Sequence, residues 1–129
     1  MHDYKGKSYV VLYFYPEDMT TGCTIEACNF RDDHDKYKAA NTVVFGVSMD
    51  PIEMHKQFTE KDRLNFPLLV DTERKIIDAY GVPVTDHWAK RWTFLIDKDG
   101  KIAKVYQKVD ARIHSQELLK DISELNAKH

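Results

Sequence analysis

Two cysteines, Cys23 and Cys28, are the only thiols of the chain, and they stand five residues apart. The first lies in the segment Pro16 to Cys28, PEDMTTGCTIEAC, where an apolar run gives way to an amphipathic one. Thr20 is a natural helix N-cap. Its hydroxyl can accept from the backbone N–H three residues on, which is that of Cys23. Cys23 then sits in the first helical turn, facing unpaired N–H groups and the positive end of the helix dipole. Such a place favours the thiolate, which is the nucleophilic and oxidisable form of cysteine. Placement alone is equally compatible with a buried structural cysteine.

Cys28 tests the idea. Five residues on an α-helix turn through ~500° and rise ~7.5 Å, so the two side chains point ~140° apart. A disulfide needs Cα atoms ~4.4–6.8 Å apart. An intact helix therefore cannot carry a Cys23–Cys28 bond, and pairing requires the first turns to unwind. The pair would then be a redox switch whose folded form favours the thiols. The plain alternative is that Cys28 is a small apolar residue on the inner face of the helix.

A scaffold must hold these residues, and apolar patterning supplies one. Tyr9 to Tyr15 (YVVLYFY) is β-branched and aromatic without polar alternation, as in a strand buried on both faces. Pro16 ends it. A helix is expected from about Gly22 to Ala40, with Ile25, Cys28 and Tyr37 on its apolar side and Arg31, Asp32, Asp33, Asp35 and Lys36 solvated. Thr42 to Met49 reads as a second buried strand. Pro51 suits the first turn of a helix over Ile52 to Lys61. Phe66 to Val70 is a third strand, and Glu73 to Tyr80 a helix closed by Gly81. Trp92 to Ile96 and Ile102 to Tyr106 flank Asp97-Lys98-Asp99-Gly100 as a hairpin. A last helix over Ser115 to Ala127 carries Leu118, Leu119, Ile122 and Leu125 on one face, with Ser115 as its cap. The order β-α-β-α-β-α-β-β-α predicts a mixed sheet flanked by helices. Open α/β sheets place their sites where a strand feeds a helix, as Pro16 to Cys28 does.

Composition narrows the function. The chain has 129 residues, which suits one domain over 1–129. Its 19 basic and 21 acidic residues leave a net charge of −2, so no basic excess recruits nucleic acid or anionic membrane. The longest apolar run falls far short of the ~20 residues of a membrane helix. The polar start MHDYKGKSY lacks the apolar core of a signal peptide, and a cytoplasmic address is expected. Nucleotide-binding glycine loops and HExxH are absent from the sequence, and two cysteines without a second pair make a poor zinc site. No cofactor is expected.

PEDMTTGC fits the P-x-x-x-T-x-x-C signature of peroxiredoxins as Pro16, Thr20 and Cys23. The stretch VVLYFYPEDMTTGCTIEACNFRD resembles the bacterioferritin comigratory, or Q-type, subfamily, which carries a second cysteine five residues after the first. RWTFLIDKDGKI is similar to the family's R-x-[S/T]-F-L-I-D segment and places its arginine at Arg91. FGVSMD and FPLLVD match further blocks. The resemblance implies a thioredoxin-like α/β fold, and the family's N-terminal β-segment is expected to be lacking here. It implies a thiol peroxidase that reduces hydrogen peroxide and organic hydroperoxides. Cys23 would be the peroxidatic nucleophile, leaving sulfenic acid after attack on peroxide. Arg91 would stabilise the thiolate and the charge that develops as the O–O bond breaks. Thr20 would hydrogen-bond the sulfur or the peroxide, Pro16 would shield the sulfur, and Glu26 would partner Arg91. Cys28 would resolve sulfenic Cys23 to an intramolecular disulfide, reduced again by thioredoxin or a similar dithiol. An internal resolving cysteine implies a monomer.

Two other readings compete. A thioredoxin-like disulfide exchange protein would use C-x-x-C, whereas four residues intervene here. A receiver-like signalling module would use Glu17, Asp18 and Asp50 as an acidic pocket around Mg²⁺, but the C-terminal hairpin breaks the βα alternation it needs.

Overall fold

The computed structural model describes residues 8–18, 21–85 and 88–127. Strand β1 (Tyr9–Phe14) is the centre of a five-stranded sheet. It pairs in parallel with β2 (Thr42–Ser48), which pairs in parallel with β3 (Leu68–Val70). On its other side β1 pairs antiparallel with β6 (Thr93–Ile96), which forms a hairpin with β7 (Ile102–Tyr106). The mixed sheet and the C-terminal hairpin are those the sequence predicts. All of β1 is buried, and its side chains alternate between two cores. Val11, Tyr13 and Tyr15 join Cys23, Ala27, Phe30, Tyr37, Phe58, Leu118 and Ile122 on one face. Val10, Leu12 and Phe14 join Val47, Ile77, Val82 and Phe94 on the other. That two-sided burial is why β1 shows no polar alternation.

Helix α1 (Thr21–Asp32) follows the turn after β1, and α2 (His34–Ala39) follows α1 directly. The single helix expected over Gly22 to Ala40 is thus divided at Asp33. Asp33 Oδ2 accepts from the Ser115 hydroxyl at 2.8 Å, and the Tyr37 hydroxyl donates to the Ser115 carbonyl at 2.7 Å. These tertiary bonds hold the joint, in a stretch of Asp and His with weak helix preference. They also correct the role of Ser115. Helix α5 (His114–Ala127) already begins one residue earlier, and the Ser115 hydroxyl bridges to Asp33 instead of capping it.

Helix α3 (Ile52–Asp62) links β2 to β3 and α4 (Lys75–Ala79) follows β3. Gly81 has the positive φ of 69° expected after a helix end. A short antiparallel pair, β4 (Val84–Thr85) with β5 (Trp88–Ala89), lies where the sequence suggested only a loop. Among the described residues no helix is long and apolar enough to cross a membrane. The expected lack of a preceding β-segment concerns residues before Ser8, outside the described residues.

Candidate functional site

The parallel strands deliver the start of α1 to the C-terminal edge of β1. Antiparallel β6 begins at that same edge, because Phe14 N–H donates to the Trp92 carbonyl at 2.7 Å. Arg91, one residue earlier, therefore meets α1 although 68 residues separate it from Cys23. Its Nη2 lies 3.1 Å from Cys23 Sγ, and its Nη1 donates to Glu26 Oε1 at 2.6 Å. Cys23 and Glu26 lie on one face of α1, three residues apart, so a single guanidinium fork reaches both. Both are buried to 1% exposure.

The electrostatics follow from that burial. Arg91 is half-buried, which works against its charge, but Glu26 and Cys23 outweigh the cost and hold it protonated. Burial pushes the Glu26 carboxyl up to about 7, against the pull of Arg91. Its Oε2 and the Tyr13 hydroxyl are buried without a protein hydrogen-bond partner among the described residues. The result is a largely buried site in which a fixed positive charge faces the sulfur. Charge on the sulfur interacts more strongly with the guanidinium there than it would in water.

Of the residues expected at the site, Cys23, Glu26 and Arg91 come together. Pro16 is half-buried in the turn leading to α1. Thr20 lies outside the described residues. Cys28 stands apart. It is half-buried, and both cysteines are free thiols. Burial pushes its thiol up, Arg31 opposes that, and the charges of Asp62 and Asp32 reinforce it.

The half of α1 that carries Cys28 is tied to its neighbours. Asn29 Nδ2 donates to the carbonyls of Ala111 and Arg112 at 3.1 and 3.2 Å. Arg31 Nη1 donates to the Asp62 carbonyl at 2.5 Å, and Asn65 Nδ2 donates to the Arg31 carbonyl at 3.2 Å.

Sequence reasoning missed Gly22. A Cβ there would come within 3.2 Å of Arg91 Nη2, so the absence of a side chain leaves room for the guanidinium. The glycine beside Cys23 was the available signal. It also placed Asp18 and Asp50 in one acidic pocket but missed His55 between them. Asp18 and Asp50 do meet, but around His55, with both Asp18 oxygens and Asp50 Oδ2 already engaged by protein groups.

Comparison with known proteins gives a consistent result. Residues 1–105 match the AhpC/TSA family. Peroxiredoxin Bcp of Bacillus subtilis (strain 168) is 44% identical over 99% of this chain and 85% of its own. The crystal structure of a cysteine-to-serine mutant of Xylella fastidiosa PrxQ superposes with a TM-score of 0.91 at 28% identity, covering 97% of this chain and 81% of that one. A structure of Xanthomonas campestris bacterioferritin comigratory protein, from work on its alkyl peroxide reduction activity, has a TM-score of 0.89 at 26% identity and covers 95% and 82%.

Proposed function

Because the chain belongs to the AhpC/TSA family, we propose that its peroxidase cycle runs on Cys23 and Cys28 with Arg91 as the charge-stabilising group. The enzyme is a thiol peroxidase of the Bcp and peroxiredoxin Q kind, on the thioredoxin-like peroxiredoxin fold. Its substrate is a peroxide and its reductant is of the thioredoxin type. The 129 residues act as one catalytic domain, a cytoplasmic monomer that needs no cofactor.

The single observation that carries the assignment of residues is the 3.1 Å approach of the Arg91 guanidinium to Cys23 Sγ. The Cys23 thiolate attacks one peroxide oxygen and the O–O bond breaks. Cys23 becomes a sulfenic acid, and the departing oxygen takes a proton to leave as water or an alcohol. Arg91 neutralises the starting thiolate and the charge spreading over sulfur and the two oxygens. Glu26 anchors the other arm of the fork, so the guanidinium is already aimed before peroxide arrives. Pro16 shapes the turn that leads to Cys23.

Resolution needs a different geometry. Cys28 lies ~140° around the helix from Cys23, so α1 must unwind for the second step. The Cys28 sulfur then attacks sulfenic Cys23. A disulfide forms, the Cys28 proton joins the leaving hydroxide, and water departs. A dithiol reductant exchanges with this disulfide and restores both thiols. Hydrogen peroxide and organic hydroperoxides both fit the scheme.

The test is a thiol count with intact mass after one equivalent of hydrogen peroxide. Wild type should lose both thiols and two hydrogens while remaining a single chain. The Cys28→Ser protein should gain one oxygen. Survival of both thiols in wild type would refute the assignment.

A further inference from the structure

His55 lies in the first turn of α3 and is 4% exposed. Its Nε2 stands 2.9 Å from the Leu69 carbonyl of β3. A carbonyl only accepts, so Nε2 carries hydrogen. Its Nδ1 stands 2.5 Å from Asp18 Oδ2. A bare Nδ1 would set a lone pair against a carboxylate, so a proton lies between the two atoms. Asp18 is itself fully engaged. Its Oδ1 accepts from the Tyr15 hydroxyl at 2.5 Å, and its backbone N–H donates to Asp50 Oδ2 at 2.6 Å. That Asp50 oxygen also accepts from the Ser48 hydroxyl at 2.9 Å.

Asp18 belongs to the turn between Pro16 and Cys23, on the same edge of the sheet as the site. Tyr15 just after β1, Asp50 of the β2–α3 connection and His55 of α3 thus converge on one residue of that turn, and β3 holds His55 through the Leu69 carbonyl. The charged groups facing His55 are Asp18 from the turn and Asp50 from the β2–α3 connection. Lys56 and Glu60 of its own helix line the adjoining cleft, and the ring of Tyr15, just after β1, lies 6.5 Å away. Burial works against the imidazolium. The bonds to Asp18 and the Leu69 carbonyl, with the charges of Asp18 and Asp50, outweigh it and raise His55 above its ordinary 6.5.

We propose that His55 is a positioning residue for peroxide reduction, its proton shared with Asp18 clamping the turn that presents Cys23. The inference rests on the reading of Cys23 as the peroxide-reacting thiol. A His raised on folding contributes fully below its ordinary value, and the contribution is lost as pH climbs through the raised one. Loss of one ring proton leaves a buried nitrogen lone pair against either the Asp18 carboxylate or the Leu69 carbonyl, and one of the two bonds is lost. The turn then loosens and Cys23 drifts from Arg91. Oxidation of Cys23 should therefore fall at alkaline pH.

The experiment measures the single-turnover rate of Cys23 oxidation by hydrogen peroxide from about pH 5.5 to 10, in a Cys28→Ser background that stops at sulfenic acid. With His55 present an alkaline decline of about tenfold is expected, since misplacement of ~1 Å costs that much or more. His55→Gln donates to Asp18 without titrating, and the decline should vanish. An unchanged alkaline limb in His55→Gln would overturn the proposal. Nitrogen NMR of the imidazole ring in the parent protein guards against a variant that fails to fold. A doubly protonated ring persisting above pH ~7 supports the clamp, and a ring already neutral at pH ~6 overturns it whatever the variant does. If Cys23 reacts at no pH, the catalytic assignment falls and this proposal falls with it. A neutral His55 in a reactive enzyme sinks this proposal alone.

Discussion

Cys23 and Cys28 share one 12-residue helix, one strand-to-helix turn and one sheet behind them, yet they inhabit opposite environments. Cys23 is buried at the helix start, with a guanidinium 3.1 Å from its sulfur. Cys28 is half-buried on the other side, where burial and two carboxylates hold it protonated against the pull of Arg31. Identical chemistry therefore acquires two roles from what the rest of the chain brings to each face. In the proposed cycle Cys23 attacks first, and Cys28 waits until the helix opens. The two halves of α1 differ in the same way. Asn29 and Arg31 tie the second half to neighbouring backbone carbonyls, through bonds that an unwinding helix must stretch or keep.

The comparison can be broken outright at Cys23. Cys23→Ser removes the nucleophile, and peroxide consumption in a coupled assay should fall to background. Full turnover by that protein would mean the roles are misassigned. Cys28→Ser breaks the other half. It should consume one equivalent of peroxide as a burst and then stop, with thioredoxin oxidation falling to near zero. Sustained thioredoxin-linked turnover would remove Cys28 from the cycle.

Arg91→Met erases the charge that separates the two thiols. Stopped-flow oxidation of Cys23 should slow by roughly 10²–10³-fold, the usual cost of losing one preorganised group that stabilises charge. Arg91→Lys keeps the charge without the fork and should lie between. An unchanged rate in Arg91→Met would leave the 3.1 Å contact without catalytic meaning.

Acid should weaken the frame that holds Cys28's half of the helix. His114 starts α5, is fully buried, and donates to or accepts from the Thr93 hydroxyl at 2.9 Å. Burial, helped by the charge of Arg91, lowers it to about 4. The folded form thus keeps the ring neutral where an unfolded chain protonates it. Its contribution is whole above pH 6.5 and is lost as pH falls towards 4, amounting to roughly 3 kcal/mol. Urea unfolding of wild type and His114→Asn should show the gap between them closing over that window, and a constant gap would contradict it. The smallest effect is expected at Asn29→Ala. It removes the bonds to Ala111 and Arg112, worth about 1 kcal/mol together. Disulfide formation after a peroxide pulse should accelerate by about fivefold in quenched-flow mass analysis.

Much of this was legible in the residues. Tyr9 to Tyr15 declared a doubly buried strand because every residue is apolar, and the hairpin around Asp97 to Gly100 declared itself by its turn. A helix start just before Cys23 was announced by local rules alone. The division of the first helix at Asp33 was not legible, because its cause is Ser115, 82 residues away. The place of Ser115 was misread for the same reason. A serine beside a helix start looks like a cap until a distant carboxylate claims its hydroxyl. The short β4–β5 pair also escaped, since strands of two residues carry no period to detect.

The sequence by itself determined where the two thiols stand along the chain, the spacing that forbids a disulfide on an intact helix, and the alternation of strands and helices. These depend on neighbours along the chain and on local geometry. Only the tertiary structure decided which thiol meets the guanidinium, that Gly22 leaves room for it, and that His55 reaches Asp18. Those facts depend on strand order. Placing β6 antiparallel beside β1 delivers Arg91 to the start of α1, and placing β3 beyond β2 gives His55 its carbonyl partner. Strand order is settled by how two apolar faces are covered at once, a property of the whole sheet that no single segment carries.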